Sequence, residues 1–122
     1  MLTSVGGDLR VWDNDWLEGL DGLSAITTIG LDLSIVSNTA LTTFAPLGNV
    51  TSVGHNVDIE YNPLLSDLGL EALTSVGWDL LIYENDDLPQ CEACDLLDQL
   101  VGFTGTIAFY SNQADTCSDD CT

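Results

Sequence analysis

Lysine is absent from this chain and arginine occurs once, at Arg10, against 20 acidic residues, for a formal net charge of -19. A nucleic-acid partner or an anionic membrane surface is therefore not expected, because every phosphate contact needs a cation to replace its counterion. No apolar run approaches the roughly 18 residues of a membrane span, so membrane insertion is not expected either. His55 is the only histidine. With no lysine either, there is no base–nucleophile pair to build around it, and no enzyme is expected. The acidic residues are plentiful but scattered in ones and twos, the pattern of solvated surface charge rather than of a catalytic carboxylate pair. No cysteine precedes Cys91. Repeat sequence begins directly after Met1 with no leader before it, which is expected of a mature form or of a piece of a longer protein.

What the chain does contain is repetition. "LTSVGGDLRVWDN" from Leu2 is echoed by "ITTIGLDLSIVSN" from Ile26, "VTSVGHNVDIEYN" from Val50 and "LTSVGWDLLIYEN" from Leu73. "LVGFTGTIAFYSN" from Leu100 is a degenerate fifth copy. The closing asparagines, Asn14, Asn38, Asn62, Asn85 and Asn112, lie 24, 24, 23 and 27 residues apart. A period of this length marks stacked units, none of which buries its apolar side alone.

Two rhythms alternate within a period. In "GDLRVW" the apolar Leu9 and Val11 alternate with Asp8, Arg10 and Trp12, which predicts a strand with one face buried. Leu17, Leu20, Leu23, Ile26 and Ile29 then recur at every third residue, as do Leu41, Phe44, Leu47, Val50 and Val53. Neither helix nor strand sustains that spacing, so turns and short extended pieces are expected to carry the chain once around a core per repeat. The asparagines would form a buried ladder whose amides satisfy backbone groups where each strand ends.

The fifth period departs from this scheme. "DLPQCEACDLLDQLVG" has a proline at the first turn, apolar residues at helical spacing and Gly102 as a stop, predicting a helix over 89–101. One domain is expected, with repeats over 1–88 and a cap over 89–122. The first repeat has no such cap and would leave Leu2, Val5, Leu9, Val11 and a strand edge open, a surface for a homo-oligomer or filament.

The pattern G-x-D-L-x-I-x-x-N-x-x-L, present as "GGDLRVWDNDWL" and "GLDLSIVSNTAL", resembles the receptor L domain and its leucine-rich-repeat-like bacterial relatives. The resemblance runs through four good copies and one poor one. It implies a right-handed parallel β-solenoid, here of about five coils with a disulfide-stapled helical cap. It also implies an extracellular or cell-surface recognition module without catalysis; no cofactor is expected, and the expected partner is a protein or a carbohydrate.

Cys91, Cys94, Cys117 and Cys121 admit two disulfides in three connectivities, or a four-thiolate zinc site. Their position at one end and the implied extracellular setting favour disulfides. Pairing Cys91 with Cys117 and Cys94 with Cys121 would staple the tail to the helix, and the connectivity stays open. The outward strand columns read Arg10, Ser34, Asp58, Leu81, Ala108 and Trp12, Val36, Glu60, Tyr83, Tyr110. Of these Trp12, Glu60, Leu81, Tyr83 and Tyr110, together with Trp78, are the candidate ligand-binding residues, since aromatics on a rigid sheet suit recognition. Asp8, Asp32, Asn56 and Asp79 form another column, expected to cap backbone N–H groups, with Ca2+ bridging of Asp8, Asp32 and Asp79 as the alternative. Thr3, Thr27, Thr51 and Thr74 make a hydroxyl column that an ice-binding surface would share. His55 is expected on the surface.

Overall fold

The computed structural model describes residues 1–121; Thr122, the last residue assigned to the cap, lies outside the described residues. The described residues form nine strands and one α-helix. In order they are β1 Ser4–Val5, β2 Leu9–Trp12, β3 Thr28–Ile29, β4 Leu33–Val36, β5 Ser52–Val53, β6 Val57–Glu60, β7 Ser75–Val76, β8 Leu80–Tyr83, α1 Gln90–Gln99 and β9 Ile107–Tyr110. They pair into a four-stranded sheet, β1-β3-β5-β7, and a five-stranded sheet, β2-β4-β6-β8-β9, both parallel throughout.

This corrects the expected fold class. The strands fall into two separate parallel sheets with a single helix, an α/β-like layout, and no closed right-handed solenoid of five coils is found. The reason lies in the period-three stretches. Their middles fold as 3₁₀ turns at Asp21–Leu23 and Ala45–Asn49, where the pairing among the described residues is an isolated bridge, Thr43 to Asp67, and just their ends, Thr28–Ile29 and Ser52–Val53, enter a sheet. The four-stranded sheet is built from two-residue strands, and the fifth repeat supplies no strand to it at all.

Each repeat nonetheless pairs with the next in constant register, so Leu9, Leu33, Val57, Leu80 and Ile107 stack, as do Val11, Ile35, Ile59, Ile82 and Phe109. These inward rows meet Leu41, Phe44, Leu47, Leu65 and Leu73 in one continuous core. From the second copy to the fourth, the glycine that opens the motif is there for closeness. A Cβ on Gly54 would stand 2.0 Å from the Gly30 carbonyl oxygen, and one on Gly77 1.9 Å from that of Gly54.

The asparagine ladder is present. The Oδ1 of Asn62 accepts from the backbone N and the Nδ2 of Asn38, both at 3.1 Å, while Asn62 Nδ2 donates to the Ile35 carbonyl at 3.0 Å. Asn85 and Asn112 repeat the pattern, and Asn38, Asn62 and Asn85 are buried. The residue before each rung, Asp13, Ser37, Tyr61, Glu84 or Ser111, has φ between 52° and 59°. None is glycine, so each carries the modest strain of a left-handed residue held by its surroundings.

The helix α1 is three residues shorter than the 89–101 expected, with Pro89 preceding it and Leu100 already extended. Its first residue, the buried Gln90, ends the ladder by accepting from Asn112 Nδ2 at 2.8 Å. Cys91–Cys117 and Cys94–Cys121 disulfides tie α1 to the chain end in the cross-paired arrangement.

Candidate functional site

Strand alternation decides which side chains leave the five-stranded sheet. The second and fourth residues of β2, β4, β6, β8 and β9 point outward, and parallel register lines them up as Arg10, Ser34, Asp58, Leu81, Ala108 and as Trp12, Val36, Glu60, Tyr83, Tyr110. The geometry gathers Glu60, Leu81, Tyr83 and Tyr110 on adjacent strands. The Tyr83 and Tyr110 rings stack with centroids 4.7 Å apart and planes at 11°, and Tyr61 meets Tyr83 edge-on at 6.1 Å. Tyr110, on the outermost strand, is 43% exposed.

Two of the candidate residues lie elsewhere. Trp12 is three strands from Tyr83, about 14 Å at normal strand spacing, on edge strand β2. Its Nε1 donates to Ser34 Oγ at 2.7 Å, and Arg10 lies 5.0 Å over its ring while pairing with Asp8 at 2.8 Å. Trp78 sits in the turn before β8, where it stacks on His55 at 3.7 Å with planes 7° apart. His55, expected simply at the surface, is half-buried by that contact.

The centre of the face is electrostatically unusual. Asp58 and Glu60 alternate along β6 and so share its outer side. Burial, first, then a hydrogen bond shared with Glu60 and repulsion from Glu60 and Asp32, push the Asp58 carboxyl up to about 7. Its Oδ1 is buried without a hydrogen-bond partner among the described residues. The Tyr83 phenol donates to Glu60, and that bond, with burial and the neighbouring negative charge, holds it well above the ordinary phenol range. Sequence reading placed Asp58 in its column but gave it no role. The available signal was the pair of carboxylates two residues apart in "VDIE", on one face of a strand.

A sign follows for stability. A carboxyl raised in the fold keeps its proton there after the unfolded chain has lost it, so stability falls as pH rises from about 4 to about 7. Asp58→Asn keeps the shape and removes the charge. Thermal melts should show the variant more stable than the parent at about pH 8, by roughly 1–2 kcal/mol once solvent screening of the exposed part is allowed for. At about pH 4 the two should coincide, since the parent carboxyl is then protonated in the fold.

The carboxylate column is occupied by backbone. Asp8 Oδ1 accepts the Asp32 N–H at 3.0 Å, Asp32 Oδ1 that of Asn56 at 2.9 Å, Asn56 Oδ1 that of Asp79 at 3.0 Å and Asp79 Oδ1 that of Thr106 at 2.9 Å. Each caps the following repeat. Asp79 stands two repeats from Asp32 with Asn56 between them, so Asp8, Asp32 and Asp79 do not converge. Among the described residues the donors that do converge are Cys91, Asp115 and Cys117, and there the two sulfurs are joined to each other, leaving no thiolate for a metal. The threonine column also bonds internally: Thr27 Oγ1 donates to the Thr3 carbonyl and Thr51 Oγ1 to that of Thr27 at 3.1 Å.

A cavity of about 230 Å³ lies away from the strand face, between the turn after Asp67 and α1. Asp67, Glu71, Glu92 and Asp95 line it, and burial, followed by repulsion from Asp67, raises the Glu92 carboxyl. Compared with protein-family models, with curated proteins and with solved structures, the chain matches none.

Proposed function

We propose that the protein is a non-enzymatic recognition module, extracellular or displayed at a cell surface, that presents the outer face of the five-stranded sheet to a protein or carbohydrate partner. The observation that carries this reading is the Tyr61–Tyr83–Tyr110 cluster with Glu60 and Leu81 on neighbouring strands of one sheet. Rigid aromatics beside a polar anchor give a large contact at low entropic cost, the composition that dominates binding hot spots. Two disulfides fit an oxidising compartment. No helix among the described residues is long and apolar enough to cross a membrane.

The test is an array of immobilised glycans and peptides probed with the parent and with Tyr83→Ala/Tyr110→Ala. Loss of two central aromatics should weaken capture about a hundredfold or more while the variant still melts cooperatively. Equal capture by both proteins, or none by the parent, would count against the reading.

A second reading, self-assembly through the first repeat, is favoured by the exposed Met1, Leu2, Trp12 and Trp16, the last 93% exposed, beside the edge strands β1 and β2. Salt screens the charge that opposes it. Sedimentation should show association growing with ionic strength and lost in Arg10→Pro, which removes an outward N–H from the edge. A monomer at all salt concentrations would end this reading.

A further inference from the structure

The chain's single arginine shows how this face holds a cation. Arg10 projects from β2 with its guanidinium over the Trp12 ring and against the Asp8 carboxylate. Two strands along, the sign is reversed: Asp58 stands in register with Arg10 and Glu60 with Trp12, and Tyr83, in register with Glu60 on the next strand, supplies a ring beside the two carboxylates. Here two acids face each other, and Asp58 Oδ1 has no hydrogen-bond donor among the described residues. We propose that Asp58, Glu60 and Tyr83 form the docking point for a basic polypeptide, one of whose arginine side chains lies against the two carboxylates and beside the Tyr83 ring. This rests on the recognition reading and narrows it to a partner class.

Charge complementarity is the main argument. With 20 acidic residues and one arginine, the chain repels anions and gains from any cation it binds, and the balance is worst where two carboxylates are half-buried side by side. A guanidinium has five donors in a planar fork, enough to serve both carboxylates, and it stacks on an aromatic ring. A neutral sugar offers the hydroxyls but no counter-charge. The groups facing Asp58 are Glu60 on its own strand, Asp32 ahead of β4, and Tyr83 on β8 with Tyr110 beyond it. All are acidic or phenolic. Burial and these neighbours raise the Asp58 carboxyl to about 7, so below that pH an entering arginine displaces a proton to solvent, and binding strengthens as the solution becomes more basic.

The experiment is calorimetry with a blocked Gly-Arg-Arg-Gly peptide and its citrulline analogue, which keeps the shape and loses the charge. At about physiological salt, the arginine peptide should bind about tenfold more tightly at about pH 8 than at about pH 6, with proton release that grows toward the lower pH. The citrulline peptide should not bind measurably. Asp58→Asn and Glu60→Gln should each weaken binding at least tenfold and remove the pH dependence, whereas Asp21→Asn, on an exposed turn outside the face, should change neither. Binding that ignores pH, or that falls equally in Asp21→Asn, would overturn the proposal in favour of diffuse charge. A neutral hexasaccharide that binds in place of the peptide, and is lost in Tyr83→Ala/Tyr110→Ala, would overturn it and leave the recognition reading standing. Binding by neither probe, with an unproductive array, would remove both.

Discussion

Leucine in place of Asn62 is expected to cost about 3–5 kcal/mol, a large share of the total stability of a small domain. The side chain is fully buried and its volume is nearly preserved, so cavity formation contributes little. What is lost is hydrogen bonding on both sides. Asn38 N and Nδ2 lose their acceptor, and Asn85 Oδ1 and the Ile35 and Glu60 carbonyls lose a donor. At this size that corresponds to a fall in melting temperature of about 10 °C or more. Asn14→Leu is the control. Asn14 is exposed, so water takes over from its lost partners and the cost should stay under about 1.5 kcal/mol. Chemical denaturation of the two variants checks the order. Equal midpoints for both would mean that the ladder is not a buried network.

The second large effect is at the other end of the molecule. The disulfides close stretches of 26 and 27 residues, each of which should contribute about 3 kcal/mol by restricting the unfolded chain. Both join α1 to the segment around Cys117 and Cys121, so their loss should be felt locally first. In Cys94→Ala/Cys121→Ala, hydrogen exchange should speed up in α1 and in residues 112–121 while amides of β4 and β6 stay protected. Simultaneous exchange in β4 and α1 would show that cap and repeats unfold as one unit.

How much of this was legible beforehand depended on whether the repeat itself carried the information. Parallel pairing at a constant interval turns sequence spacing into spatial register, so the columns through Trp12 and Arg10 and the ladder through Asn38 were readable by alignment alone. Segregation of the cysteines pointed toward a stapled end. The two-sheet layout was not readable, because apolar residues at every third position show which side chains face inward and say nothing about which backbone groups pair. Leu41, Phe44 and Leu47 are buried as that rhythm requires, yet none lies in a strand, and Leu47 sits in a 3₁₀ turn. The left-handed residues Ser37, Tyr61 and Glu84 share no side-chain type, so no local signal marked them. Gln90 serves the ladder from outside the repeat. The raised Asp58 carboxyl comes first from burial, which only the assembled sheet provides, and in part from Asp32, which the pairing of β4 with β6 brings near, so that of its causes only Glu60 was visible in the sequence.

The asparagine ladder also has a direction. Asn14 donates to Asn38, Asn38 to Asn62, Asn62 to Asn85, Asn85 to Asn112, and Asn112 to Gln90. Every link points the same way, and the two ends differ chemically: Asn14 offers an acceptor, whereas Gln90 has already filled the donor at the far end. Copying an internal stretch such as 39–62 would insert one more identical link and leave both termini untouched. Two whole domains fused in tandem could not be joined so simply, because the second Asn14 would have to displace Gln90, and α1 with it, from Asn112. The width of the sheet can thus grow from within by duplication, while its helical end stays a fixed boundary.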